Sequence, residues 1–253
     1  MSWQVALSDY LMIVPHLLLI GVLAALCRKK LYREFPLFFT YAAAELFQFI
    51  VLFGMLLVPK VTGRQYSIAY WVGLALSNVL RFGVIHEIFA HVFRNYPSVR
   101  AYGAPAVRWG TVGLLATALG LALYTGGDSL DRLRTLVFLL DRTASIMQCC
   151  LLLALFAFAR YLALSLRSHV FGIALGLGIF ASVELAVAAL RSQLGYSGNA
   201  ALNYVSMATY HICVVIWLAY LWAPERSSQY LVKAVPEHDL EDWSKELQRL
   251  IQQ

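Results

Sequence analysis

Apolar residues follow one another along this chain in stretches far longer than a strand, and without the single apolar stripe of a surface helix. Such stretches cover about 6–27, 36–58, 67–93, 105–124, 134–160, 169–190 and 200–222. A helix needs about 20 apolar residues to cross the hydrocarbon core of a bilayer, and each stretch has that length. The pattern predicts an all-α polytopic membrane protein, a seven-transmembrane-helix bundle over 1–222 with the lipid bilayer as its solvent. Connections such as RKKLYREF (28–35) and PKVTGRQY (59–66) leave no room for a soluble domain. Any ligand or chemistry must therefore lie within the bundle, on the short loops, or on the tail.

After residue 222 the pattern changes. Residues 223–253 form a cytoplasmic tail in this reading, with APERSSQYLVKAVPEH as a linker. Asp239 then stands as an N-cap after Pro236, and Leu240, Trp243, Leu247, Leu250 and Ile251 recur at helical spacing. This predicts a short amphipathic helix over about 239–251. Its polar face sets Glu241, Asp242 and Glu246 against Lys245 and Arg249. That balance lacks the cationic excess of a lipid-adsorbing helix and suits docking on the protein's own basic loops or on a cytoplasmic protein partner.

Composition supports the pattern: 60% of the residues are hydrophobic and 13% charged, outside the range of ordinary globular domains. The net charge of +6 is explained by where the cations fall. Arg28, Lys29, Lys30, Arg33, Arg94, Arg100, Arg160, Arg167, Arg226 and Lys233 lie on one set of connections; only Lys60, Arg64, Arg132, Arg134 and Arg191 lie on the other. Basic loops stay in the cytoplasm, so the N-terminus is expected outside and the C-terminus inside a cell membrane. The charge then reads as topology and implies no nucleic-acid partner. MSWQVALSDY has no basic n-region or cleavage pattern, so the first span is expected to be retained. Cys27, Cys149, Cys150 and Cys213 fall in or beside spans, which argues against a disulfide framework.

Ionisable groups are costly in lipid and mark candidate sites. His16, Glu45, Arg81, Gln148 and His211 fall near mid-membrane by helical rise, with Asn78, Asp141, Arg142 and Glu184 displaced toward the outer side. Three arcs appear at about 100° per residue: Ser77, Asn78 and Arg81; Asp141, Arg142, Ser145, Gln148 and Cys149; and Asn203, Ser206, Met207, Tyr210 and His211. Polar residues sorted onto single faces of three helices predict a hydrated interior cavity. The competing reading is structural, with Glu45–Arg81 and Arg142–Glu184 as ion pairs that fix helix order. Gly172 and Gly176, one turn beyond Ser168, predict a close helix approach, inside the bundle or in a homodimer.

The run HEIFAH at 86–91 resembles a zinc-protease pair with one residue too many. His86 and His91 would point roughly 140° apart on a helix and could not grip one ion. Glu87, His91 and Arg94 do share a face, which predicts a charged cluster at the cytoplasmic mouth, read first as a structural ion pair capping the inner helix end and second as a proton or partner site. The last span lacks the lysine a retinal protein needs, and no serine sits in a nucleophile elbow. The cavity is therefore read as non-enzymatic, without metal or other cofactor. It would sense a small ligand or a protonation change and relay it to the inner loops and tail. Two alternatives use the same residues: a small-molecule, ion or proton transporter, and a metal or haem protein with His16 and His211 as axial ligands.

Overall fold

The computed structural model describes residues 2–92, nine positions between 105 and 124, and residues 129–158, 168–194 and 199–224. Six long helices account for nearly all of it: α1 (Ser2–Arg28), α2 (Pro36–Leu57), α3 (Gly63–Val92), α4 (Ser129–Phe158), α5 (His169–Leu194) and α6 (Asn199–Trp222). No strand occurs among the described residues. Five of the helices, all but α4, are long and apolar enough to cross a membrane. The chain is thus a helical, multi-pass membrane protein. The stretch predicted as the fourth span is described only at its nine positions, all helical and exposed. Arg94 and the tail helix expected at 239–251 lie outside the described residues.

The surface is what lipid demands. Phe47 and Leu57 are 68% and 69% exposed while Asn78 and Arg81 are 0% and 3% exposed, an inversion that water would penalise and a hydrocarbon solvent favours. Among the described residues each helix packs on its neighbour in chain order and α6 closes on α1, making a ring crossed by an α3–α5 contact. Within the ring, α2 and α3 are antiparallel, with Glu45 beside Ser77 and Leu37 beside Glu87. By contrast α3 and α4 run parallel: Asn78 meets Val137, and Arg81 meets Asp141, Ser145 and Gln148. Helices α1 and α6 are also parallel, with Tyr10 beside His211 and Lys29 at Trp222.

One end of the ring is filled. Leu19, Val22, Leu26, Phe35, Phe38, Ile88, Val92, Ile173, Leu177, Trp217 and Leu221 interlock there in a single apolar cluster. Trp217 is its keystone: its ring meets Phe38 edge-on at 5.3 Å and Tyr41 at 6.3 Å, and its indole N–H donates to the Ile173 carbonyl at 3.3 Å. Apolar burial gives little drive between helices already in lipid, so close packing must hold them. Small residues provide it: a Cβ on Gly172 would strike Tyr220, and one on Gly176 would strike Trp217. The glycine stripe is thus occupied by α6 of the same chain.

Two charged side chains close helix ends at this same pole. Glu87 on α3 accepts the backbone N–H groups of Leu37 and Phe38 at 2.9 and 3.0 Å, capping the start of α2 just after Pro36. Lys29 donates to the Trp222 and Ala223 carbonyls at 3.2 and 2.8 Å, capping the end of α6. Each charge has the sign that its helix terminus favours. Between them, Lys30 takes a left-handed conformation (φ 57°) and a 3-10 turn, Leu31–Arg33, returns the chain from α1 to α2.

Gly176→Val should lower the thermal unfolding midpoint of the protein in detergent by overpacking against Trp217, at a cost of about 1–3 kcal/mol. Gly54→Ala, where a Cβ meets nothing within 4 Å, should hold or raise it. Equal behaviour of the two would contradict the glycine-dependent approach of α5 and α6.

Candidate functional site

Opposite the apolar pole, the ring encloses a cleft of about 760 Å³. All six helices contribute: Leu11, Met12 and His16; Tyr41 and Glu45; Tyr70, Trp71, Leu74, Ser77 and Arg81; Val137, Phe138 and Asp141; Phe180, Glu184, Val187, Ala188 and Arg191; Ser206, Met207 and Tyr210. Most of these residues come from the early halves of α1, α3, α4 and α6 and the late half of α5. The cleft is accordingly one-sided, lying toward the pole that holds the start of the chain.

Arg81 organises its floor. One terminal nitrogen donates to Asp141 at 2.7 Å and to Asn78 at 3.2 Å; the other donates to Gln148 at 2.9 Å and to Ser145 at 3.4 Å. Asp141, Ser145 and Gln148 recur at the three- and four-residue spacing that puts them on one face of α4. The guanidinium also lies 5.4 Å from the Phe180 ring centroid, within cation–π range. Asn78 is held in turn by donating to the Val137 carbonyl at 3.4 Å. A planar donor fork suits such multiple fixation better than an ammonium would. Nearby, Glu45 accepts from the Ser77 hydroxyl on α3 and from Tyr41, one turn earlier on α2.

Of the expected cavity residues, His16, Glu45, Arg81, Asp141, Glu184 and Tyr210 line the cleft, while Asn78 and Gln148 lie beneath it as partners of Arg81. The His16 ring stacks on Phe49 at 3.9 Å, and its Nδ1 lies 2.7 Å from the Met12 carbonyl oxygen. Asn203 is outside the lining and exposed, accepting a 2.6 Å bond from Arg191. His211 is also outside it, with its ring 5.6 Å from Tyr10. Arg142 is exposed. One residue round the helix from Asp141, it is turned out of the narrow face that reaches α3.

Both expected ion pairs are therefore corrected. Arg81 pairs with Asp141 rather than Glu45, and Glu184 keeps an oxygen without a hydrogen-bond partner in the protein rather than meeting Arg142. Of the expected mouth cluster, Glu87 and His91 fall at the apolar pole, while Arg94 lies outside the described residues. Glu87 serves as the cap of α2, and His91 lies against the Phe35 ring at 5.0 Å. Tyr41, Tyr70, Trp71, Phe180 and Arg191 were not anticipated in the site. Aromatic residues inside an apolar run carry no polar signal, and Arg191 reads in sequence as a loop cation. Tyr41, four residues before Glu45, was findable by helical spacing alone.

Several buried polar atoms around the cleft have no partner in the protein: Arg81 Nε, Gln148 Nε2, Glu184 Oε1, the Ser206 hydroxyl and the Tyr210 hydroxyl. A folded interior leaves few such groups, and each costs about 1–3 kcal/mol when unsatisfied. Four of the five belong to residues that line the cleft. Among the described residues no group of three His, Cys, Asp or Glu side chains could hold a metal ion. Comparisons with protein-family models, with curated proteins and with solved structures give no match.

Asp141→Leu leaves the Arg81 charge buried without its carboxylate. It should destabilise the protein by about 1–3 kcal/mol more than the paired replacement Arg81→Met with Asp141→Leu. Thermal unfolding of the two variants in detergent measures the difference. A double variant less stable than Asp141→Leu would contradict the pairing.

Proposed function

We propose that this chain is a seven-crossing cell-membrane protein, N-terminus outside and C-terminus cytoplasmic, whose outward-facing cleft binds a small ligand in a receptor-like, non-enzymatic role. The observation that carries this reading is the set of unpartnered polar atoms around a one-sided cleft of about 760 Å³, a size that suits a small molecule. The opposite pole is filled by the Trp217 cluster, which favours reception over passage. A channel needs a second opening, which the packing among the described residues does not offer, and an alternating-access transporter would need this filled pole to open.

The parallel run of α3 and α4 supports seven crossings, because the chain must return across the bilayer between them. The basic residues on the connections at the apolar pole support its cytoplasmic orientation. In this reading Glu87 and Lys29 couple the cleft to the inner loops, since α2 and α6 both contribute lining residues and both end on those caps. The tail helix over about 239–251 would carry the signal to a cytoplasmic partner.

Labelling from one side tests the orientation and the one-sided opening together. With the four native cysteines replaced by alanine, Ser206→Cys in whole cells should react with a membrane-impermeant thiol reagent, and Ala174→Cys at the apolar pole should not. Labelling of Ser206→Cys only in inside-out vesicles would overturn the orientation. Protein-dependent solute uptake into liposomes, lost in Arg81→Ala, would replace reception with transport.

A further inference from the structure

The cleft is not the only space in the ring. A smaller pocket of about 200 Å³ lies between α1 and α2 at the start of α3, lined by Gln48, Phe49, Leu52, Phe53, Leu56 and Tyr66. It shares Met12, His16 and Glu45 with the main cleft, so the two adjoin across these side chains. Phe49, Leu52, Phe53 and Leu56 recur at i, i+3, i+4 and i+7, one apolar stripe along α2. Phe53 and Leu56 are 37% and 62% exposed, so the stripe leads from the polar interior out to the lipid-facing surface. A polar chamber beside a mainly apolar groove, with the His16–Phe49 stack between them, has the shape of a head-and-chain molecule.

The chamber also has a sign. Its lining carries three carboxyl groups, on Glu45, Asp141 and Glu184, against two guanidinium groups, on Arg81 and Arg191, with the His16 imidazole at its edge. Asp141 is paired with Arg81, and Glu45 accepts from the Ser77 and Tyr41 hydroxyls. Arg191 is exposed and turned to Asn203. Glu184 keeps a buried oxygen with no partner in the protein. Tyr70, Trp71, Phe138, Phe180 and Tyr210 line the same chamber, and aromatic faces favour a cation, not an anion.

Resting on the ligand-binding reading above, we infer that the ligand is an amphipathic organic cation: an amine or ammonium head at Glu184 and a single apolar chain in the α1–α2 groove. The head supplies the charge the lining lacks. The chain follows the stripe from Phe49 to Leu56 and gives the ligand a lateral route from the bilayer, past the His16–Phe49 stack.

Calorimetric titration of the full chain in nanodiscs, against empty nanodiscs, tests this with four probes: n-octylamine, n-butylamine, n-octanoate and n-octanol. Octylamine should bind saturably, with octanoate and octanol about tenfold weaker or worse. Loss of a charge-assisted contact predicts that Glu184→Gln weakens octylamine about 10- to 100-fold. Leu52→Trp, which fills the groove, should weaken octylamine and spare butylamine. Octanoate or octanol binding as tightly as octylamine, or octylamine indifferent to Glu184→Gln in a variant of unchanged melting temperature, would overturn the cationic head while leaving the cleft a binding site. Octylamine indifferent to Leu52→Trp would overturn the chain groove. Absence of saturable binding by all four, in a protein whose Ser206 position still labels from outside, would overturn this ligand class without touching the outward cleft.

Discussion

A buried arginine constrains this bundle more than any other group. Arg81 sits 3% exposed between helices whose outer surfaces face lipid, where an unpaired charge costs several kcal/mol. Four acceptors, on α3 itself and on α4, surround its two terminal nitrogens. Two parallel helices are thereby locked at one depth, since a slip of one turn would strand the charge. Because α4 contacts α3 through this polar face, the cleft above it stays lined with groups that hydrocarbon cannot satisfy.

The two poles of the ring then have different physics. At the apolar pole, glycines let α5 approach Trp217 and Tyr220, and packing density holds the helices together. Glu87 and Lys29 stitch the helix ends there through backbone groups. At the polar pole the helices are held apart around side chains that point at shared space. A closed end and an open end within one helix ring make a chamber with a fixed base. Movement is then expected at the open pole, where α1 and α2 leave the groove between them.

Much of this was legible along the chain, and the boundary of legibility has a physical reason. Helix lengths followed from hydropathy, because the bilayer sets them and tertiary context changes them little. The polar stripes Ser77–Asn78–Arg81 and Asp141–Ser145–Gln148 were visible because helical spacing is local. Partner choice was not visible. Depth matched Arg81 to Glu45 and Arg142 to Glu184, but depth says nothing of helix rotation, and one residue of rotation separates inward Asp141 from outward Arg142. The capping role of Glu87 was hidden likewise, since its partners are backbone groups about 50 residues away. Aromatic lining at Tyr70, Trp71 and Phe180 was hidden because an aromatic residue looks the same in sequence whether it faces lipid or a chamber.

The account stands on the claim that the polar atoms of Arg81, Glu184, Ser206 and Tyr210 face a shared chamber and are not waiting for each other. A high-resolution density map of the protein in a lipid nanodisc tests this most directly. Ordered solvent or a ligand should appear within hydrogen-bonding distance of Arg81 Nε, Glu184 Oε1 and the Tyr210 hydroxyl, with the helices spaced around it. A ring collapsed at the same pole, with those side chains paired directly and no space between them, would make the whole constellation structural and contradict the account.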